Sequence, residues 1–436
     1  MDILFFVLTG LFGLMILFVL FLLFFQFLFV FVPRKEVAFQ GDGKIRRIAI
    51  IIPAHNEAAV IGETLTRLQN GLDYPKDKYD IFVCADNCSD DTFAIASSFD
   101  GVKVYERHEN DPAKRIAAYP IRLLCEKVLE EGGYEAIIKF DADNIPSPNF
   151  LMEMNNALGD GVTICRAHEA PSNLGQNALT ATSAIYYSRD SRLASNFRER
   201  AGMNSMISGA GMMVATSVLQ EIGGWDALSN SDDAEFAVKR MKEGRRIHYA
   251  SQAIVYEDQA ATKKDTDNRN ARMGNGLTKI YYREGPGLLK MFFKTGKITY
   301  LDMWAQLSFV PLPLYLGIGI PVYAVFFYVT LALQAAGIPV YPEYLFSLGE
   351  GGTAYWTIWI SLIGIGGALL LFYVLWTYQS WLALYLDRKI LGKGWFKKAW
   401  VGIFFGAFVL LFWSLSISKG AAKKNVSWQA IKRNKK

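Results

Sequence analysis

A chain of 436 residues has room for one soluble domain of about 200–270 residues and further material besides. Its formal charge of +5 is modest and sits largely beside apolar segments, which points to anionic lipid head groups and away from nucleic acid. Hydrophobic residues make up 52% of the chain but are unevenly spread, which argues against a purely soluble protein.

Leu4–Val32 is an almost unbroken run of Leu, Phe and Val without charge, long enough to cross a hydrocarbon core of about 30 Å. It is too long for a signal peptide and lacks a basic leader and a small-residue cleavage site, so it reads as a membrane anchor. Arg34, Lys35, Lys44, Arg46 and Arg47 follow it and only Asp2 precedes it, which puts the N-terminus outside and the next domain in the cytosol. Cys84, Cys88, Cys125 and Cys165 show no metal spacing and read as reduced thiols in or near a core.

Ile48–Ile52 has the aliphatic character of a buried parallel strand and ends at Pro53-Ala54-His55-Asn56-Glu57. A helical pattern follows through Val60, Ile61, Leu65 and Leu68. Ile81–Cys84 is the next strand, ending at Asp86, and Val102–Tyr105 a third, followed by a helix over Ile121–Leu129. Ala136–Phe140 is the fourth strand and runs into Asp141 and Asp143, then a proline turn. Strand alternation would turn both carboxylates to one side, where hard oxygen donors suit Mg²⁺ or Mn²⁺ with a diphosphate. Strand, loop and helix alternate, so a mostly parallel sheet with helices on both faces is expected. Three strands thus end in polar or acidic loops, the layout of a nucleotide site. No glycine fingerprint or Walker lysine accompanies them.

Ser208–Val214 is rich in small residues and fits either close approach to a substrate or a tight turn before a buried strand. Gly223-Gly224-Trp225-Asp226 leads to Ser231-Asp232-Asp233-Ala234-Glu235-Phe236, with Ser231 an expected N-cap. Helix capping accounts for one or two of the acids there and leaves one for chemistry. Arg269 and Arg272 would share a helix face as a clamp for a leaving diphosphate.

Leu277–Lys297 reads as interfacial amphipathic helix, and Met303–Leu333, with Pro311, Pro313 and Pro321, as a kinked span. Tyr355–Leu384 is a second span, Asp387–Lys398 an interfacial element on the inside, and Val401–Ile417 a shorter apolar run. If that last run crosses, the Lys-rich tail lands outside against the charge rule, so a cytosolic tail is favoured. The expected domains are an anchor over 1–33, a cytosolic catalytic domain over 45–276 and interfacial helices over 277–300. A membrane region over 301–418, with an interfacial segment at 386–399, and a basic tail over 419–436 complete it.

Taken in order, these stations resemble the membrane-embedded family-2 glycosyltransferases, the group of cellulose, hyaluronan and poly-N-acetylglucosamine synthases. The resemblance covers about Arg46 to Gly276 and the flanking helices. It implies a GT-A-like α/β domain flanked by transmembrane and interfacial helices. Pro53–Glu57 looks like the opening nucleotide motif, Asp86 matches a base- and ribose-binding aspartate, and Lys114 is similar to a nucleotide-supporting lysine. Asp141-Ala142-Asp143 matches the metal-binding Asp-x-Asp, and Ser231-Asp232-Asp233 looks like Thr-Glu-Asp, whose last residue is the general base. Arg269-Asn270-Ala271-Arg272-Met273 resembles Gln-Arg-x-Arg-Trp.

The implied site has Asp233 as base and Glu57, Asp86, Lys114, Asp141, Arg269 and Arg272 at the nucleotide. Asp143 and Asp141 hold Mg²⁺ or Mn²⁺, and Met273, Trp225 and Asp232 meet the acceptor. Met273 in place of tryptophan and Asn270 in place of a second arginine put long-polymer synthesis in doubt. The expected activity is inverting transfer of glucose or N-acetylglucosamine from a UDP-sugar to a growing β-linked polysaccharide, with secretion. The alternative is single transfer to a lipid acceptor. Expected partners are the UDP-sugar, the glycan or lipid acceptor and the bilayer, with a homo-oligomer or accessory secretion proteins left open. A transporter with a nucleotide-sensing domain is disfavoured, because few ionisable residues lie in the spans.

Overall fold

The computed structural model describes residues 36–308, 310–311 and 353–423, with scattered positions between 7 and 21 and between 321 and 336. The expected Leu4–Val32 anchor, most of the Met303–Leu333 span and the Lys-rich tail beyond residue 423 lie wholly or largely outside the described residues.

The first half alternates as its sequence pattern dictates: β1 (Ile48–Ala54), α1 (Ile61–Asn70), β2 (Tyr79–Asp86), α2 (Thr92–Ser97), β3 (Val102–Arg107) and α3 (Ala118–Glu131). Next come β4 (Ala136–Lys139), β5 (Ile145–Pro146), α4 (Phe150–Gly159), β6 (Ile164–Pro171) and α5 (Ala178–Ser188). The π-helical turn Arg189–Ser195 joins α5 to α6 (Asn196–Arg200). Then follow β7 (Met212–Ala215), α7 (Thr216–Ile222), α8 (Asp232–Lys242), β8 (His248–Glu257) and α9 (Lys263–Thr295). The remaining helices are α10 (Ile298–Ser308), α11 (Thr353–Leu386), α12 (Arg388–Leu391) and α13 (Trp395–Ala421).

The strands form one sheet in the order β3-β2-β1-β4-β7-β6-β8-β5. β1, β2, β3 and β4 pair in parallel, as do β6 and β8, while β7 and β5 run against their neighbours. The sheet is therefore mostly parallel, as expected, but it has eight strands. The four beyond β4 are short or polar: β6 carries Arg166, His168 and Glu169, which hide the period that would mark a buried strand. In β1 the alternation splits cleanly. Ala49 and Ile51 join Phe82 and Cys84 in one core, while Ile48, Ile50 and Ile52 join Ile81 and Val83 in the other. Each of the Ile, Val and Phe side chains contributes about 1.5–3 kcal/mol by burial on this two-faced sheet.

Charged side chains lock the later helices to the sheet. Arg166, 1% exposed, pairs with Glu169 at 3.2 Å and with Asp190, and donates to Ser195 Oγ and Met206 O, so the π-helical turn is pinned to β6. Arg198 holds Asp302 of α10 at 2.8 Å. Arg192 and His168 both face Asp387, at 2.5 and 3.2 Å, where α11 meets α12.

Helix α9 runs unbroken through residue 276, joining the expected arginine clamp to the expected interfacial helix. Helix α13 lies along α5 and α9 rather than leaving the domain. Near its start Lys398 covers Gly175, and Gly402 packs on the Ala181 backbone of α5. Near its end Ile417 meets Gly274, and Gly420 meets Ala271 of α9. Any side chain at Gly274 or Gly420 would collide with backbone there. Among the described residues no single helix is long and apolar enough to cross a membrane; Trp395–Leu410 and Phe412–Ala421 reach that length only together, bent by 44°.

Candidate active site

At the carboxyl ends of β1 and β4 opens a cavity of about 650 Å³, lined by Pro53, Glu57, Asp141, Asp143, Asp232, Asp233, Arg269, Arg272 and Met273, among others. The loops after β1 and β2 are laced together behind it. Glu57 N–H donates to Thr92 Oγ1 at 2.9 Å, Ser89 N–H to Asn56 Oδ1 at 2.8 Å, and His55 Nδ1 to the Asp86 carbonyl at 2.6 Å. Asn56 and Asn87 adopt left-handed φ values of 57° and 50°, which asparagine tolerates better than most residues.

The Asp141–Asn144 segment is a turn, not a continuing strand. β4 ends at Lys139, Asn144 N–H donates to the Asp141 carbonyl at 3.0 Å, and Asp141 N–H donates to Asn144 Oδ1 at 2.9 Å. Both carboxylates reach the cavity through this turn, correcting the expectation of simple strand alternation. The alternation instead aligns Asp141 with Lys139, whose Nζ lies 2.9 Å from Asp141 Oδ1 and donates to the Gly209 carbonyl at 3.2 Å. Lys139 is 6% exposed, and its charge also acts on Asp232 and Asp233. It escaped the sequence reading because it sits inside an apolar strand; the signal was its position two residues before Asp141.

The small-residue segment before β7 closes the site from the other side. A Cβ on Gly209 would lie 2.6 Å from Lys139 Nζ, 3.6 Å from Asp233 Oδ2 and 3.9 Å from Asp141 Oδ2. A side chain at this position would force the Lys139 ammonium to shift, where charges from β4, the following turn and α8 meet.

Asp232 and Asp233 open α8. Ser231 is the N-cap residue, but its side chain makes no capping bond, because its hydroxyl is pressed against Gly276 of α9. Asp232 is 7% exposed, its Oδ2 has no hydrogen-bond partner among the described residues, and burial with the neighbouring Asp233 charge pushes its carboxyl up to about 7. Burial also raises Asp233, opposed by Lys139 and Arg272. Glu257, at the end of β8, is pushed well above the usual carboxylate range by burial and by the charges of Asp143, Glu169 and Asp141. No sequence motif flagged Glu257.

Arg269 donates to Gln259 Oε1 and Ser183 Oγ, both at 3.0 Å, and lies over the Tyr187 ring. Asn270, noted above as standing in place of a second arginine, turns to α13 and is buried. Three expected residues do not line the cavity. Trp225 is 3% exposed and stacks on Phe236 with ring centroids 4.4 Å apart, a core role that corrects its expected contact with an acceptor. Asp86 is 1% exposed and is held by Arg107 at 2.5 Å, a partner the sequence reading missed. Lys114 is exposed, and its backbone carbonyl accepts from the same Arg107 at 3.1 Å.

Among the described residues no group of three or more His, Cys, Asp or Glu side chains is arranged to hold a metal. The donor set nevertheless fits Mg²⁺ or Mn²⁺, which take one or two carboxylates and fill the remaining positions with phosphate oxygens and water. Asp143 and Asp141 supply such hard oxygens, and their charges add to burial in raising the Glu257 carboxyl at that end of the cavity.

The cavity's far wall is apolar. Phe372 and Trp376 of α11 and Ala407, Leu410 and Ile417 of α13 contribute it.

A mostly parallel sheet with acidic loops converging on one edge pocket is a GT-A-like glycosyltransferase fold, and the mannosyltransferase PcManGT from Pyrobaculum calidifontis, solved in complex with GDP-Man and Mn²⁺, shares it. That structure superposes with a TM-score of 0.50 at 16% identity, covering 92% of this chain and 98% of that one. The family model for glycosyltransferase like family 2 matches residues 46–276, and the chain belongs to that family. It is 26% identical over 259 residues to the probable glycosyltransferase YdaM of Bacillus subtilis, and 28% identical over 207 residues to a β-monoglucosyldiacylglycerol synthase of Synechocystis sp.. These matches take in 58% and 44% of this chain, and 59% and 40% of the relatives' own lengths.

Proposed function

We propose that the chain is an inverting glycosyltransferase that moves a hexosyl group from a UDP-sugar to a hydroxyl of a lipid acceptor at a membrane face. The observation that carries this reading is the continuity of one cavity from the Asp141/Asp143/Asp233 cluster to the apolar wall of α11 and α13.

Asp233 takes the proton of the acceptor hydroxyl as its oxygen attacks the anomeric carbon and the bond to the diphosphate breaks. Burial raises the Asp233 carboxyl and makes it a stronger base than a free aspartate, while the charges of Lys139 and Arg272 oppose that rise. Arg272 and Arg269 receive the charge that grows on the departing diphosphate. Asp143 would hold the divalent ion with Asp141 beside it; when bound, that ion supplies Lewis-acid stabilisation of the diphosphate. Glu57 stands at the nucleotide end, with Asp86 and Arg107 fixing the shape of the adjoining loop.

Membrane association is supported by the outer face of α13, where Trp400, Phe404, Phe405, Phe408, Phe412 and Leu415 are all exposed. A patch of that kind on an otherwise packed helix suits the headgroup boundary of a bilayer. Both ends of α13 touch the catalytic domain, which favours a C-terminal tail on the same side as that domain. A second reading, extension of a β-linked polysaccharide, is favoured by Tyr187 and Trp376, aromatic rings in the cavity wall that could stack on sugars.

The test is detergent-purified protein incubated with each UDP-sugar, Mn²⁺ and either diacylglycerol vesicles or an oligosaccharide primer. One sugar added per lipid with inverted anomeric configuration is the expected result. A ladder of products on the oligosaccharide, with no lipid product, would select the second reading. Absence of transfer from every nucleotide sugar would overturn both.

A further inference from the structure

The π-helical turn and α11 build a second polar group into the acceptor end of the cavity, one that the transfer chemistry above does not use. Arg189, at the start of the turn, lines the cavity, and its guanidinium lies 4.2 Å from the centre of the Trp376 ring. Its Nε donates to Gln379 Oε1 at 3.0 Å, and Nη2 donates to the same oxygen. No carboxylate of the described residues lies within ion-pair distance of it, whereas Arg166, Arg192 and Arg198 nearby all have one. Burial lowers the Arg189 guanidinium to about 10, against the opposing pull of the Tyr186 and Asp190 charges.

The neighbouring groups repeat the pattern. Trp376 is 2% exposed and its indole Nε1 has no acceptor among the described residues; Gln379 is 0% exposed, and with its oxygen committed to Arg189 its Nε2 has none among them either. A buried donor without an acceptor costs about 1–3 kcal/mol, and here two stand beside an arginine without a counter-charge. All three surplus groups are N–H donors. A hydroxyl oxygen can accept from such donors, but only an anion also brings an opposite charge to the guanidinium.

We infer that Arg189 and the Trp376 indole N–H, with Gln379 fixing the guanidinium, form a subsite for the phosphate of a phospholipid acceptor, at the mouth between the π-helical turn and α11. The apolar residues beside it, Phe372 and Leu410, would take the first methylenes of the acyl chains. This rests on the lipid reading of the acceptor, and it narrows that reading to acceptors carrying a phosphate near the hydroxyl that is glycosylated. In the mechanism proposed above the nucleotide's diphosphate would lie at Arg272 and at the ion that Asp143 would hold, so this subsite would be a second phosphate position in the cavity.

The experiment measures binding rather than transfer, so that it stands even if no lipid is glycosylated. Calorimetric titration of the detergent-purified full chain compares dihexanoyl phosphatidylglycerol, dihexanoylglycerol and inorganic phosphate, with UDP titrated separately. Wild type should bind the phospholipid at least about tenfold more tightly than the neutral lipid, the range for hydrogen bonds to a charged group. Arg189→Met should remove that preference, Trp376→Phe should reduce it while keeping the ring, and Arg189→Lys should restore part of it. UDP affinity should be the same in all four proteins, which also reports that the variants are folded. Equal affinity of wild type for both lipids, or an undiminished preference in Arg189→Met, would overturn the inference. Inorganic phosphate binding as tightly as the phospholipid would overturn its lipid part, and weakened UDP binding in Arg189→Met would assign the group to the donor instead.

Discussion

Asp233 Oδ2 and Asp141 Oδ2, contributed by α8 and by the turn after β4, flank the same point above Gly209, 3.6 and 3.9 Å from where a Cβ would stand. The expected general base and the first acid of the Asp-x-Asp motif therefore share one pocket, with the Lys139 ammonium between them. The consequences of this crowding can be measured.

Gly209→Ala places a methyl 2.6 Å from Lys139 Nζ, closer than real Cβ atoms approach. The lysine must withdraw from Asp141, and kcat should fall by about tenfold or more, since misplacement of about 1 Å near the reacting centre costs up to a hundredfold. Thermal stability should change little by comparison. Transfer kinetics beside a melting curve distinguish the two, and an unchanged kcat would mean that Lys139 does not position Asp141.

Lys139→Met leaves Asp141, Asp232 and Asp233 without their shared buried cation. Asp232 is buried but Asp141 is 43% exposed and screened by solvent, so the cost should fall below the ~3–5 kcal/mol of a fully buried pair. The melting temperature should drop by several degrees or the protein should fail to accumulate. Lys139→Met with Asp141→Asn should recover part of that loss, because the uncompensated charge goes too. A double variant no more stable than the single one would contradict the pairing.

The Asp232 carboxyl, pushed up to about 7 in the fold from an ordinary value of 3.8, binds its proton more tightly folded than unfolded. Between those values the unfolded chain gives up the proton while the folded chain keeps it. Its stabilising contribution is therefore fully present below about pH 4 and is lost as pH rises toward 7, at up to about 1.4 kcal/mol per pH unit. Asp232→Asn removes this dependence. Relative to wild type, the variant should gain stability between pH 4.5 and 7.5; a constant difference across that range would show that Asp232 titrates normally.

If Asp143 is a metal ligand, Asp143→Asn should weaken Mn²⁺ binding in the presence of UDP, read by paramagnetic relaxation of water protons, while Asp86→Asn should not. Equal Mn²⁺ affinity in wild type and Asp143→Asn would remove Asp143 from the metal site.

The parts of this site legible in the sequence were those announced by strand ends. Aliphatic runs located β1, β2 and β4, and each handed its acids or polar residues to one sheet edge. The acidic start of α8 and the arginines of α9 were legible because helical spacing fixes which residues share a face. Long-range packing hid the rest. Trp225 was expected at the acceptor, yet α8 places Phe236 over it. Lys139 and Glu257 lie on strands whose neighbours determine their surroundings, and no local pattern records that Gly209 would face one or that Asp143 would press on the other. The close seating of α13 on α9 depends on Gly274 and Gly420, 146 positions apart, so the apolar run over Val401–Ile417 could be seen as apolar but not as a wall of the cavity.

The role of Asp233 is tested most directly by Asp233→Asn in the purified full chain, assayed for hexosyl transfer from a UDP-sugar and separately titrated with UDP. Transfer should fall by about 10²–10⁴-fold, the usual contribution of a general base, with UDP affinity unchanged. Full transfer activity in Asp233→Asn would contradict the assignment of the base and, with it, the proposed mechanism.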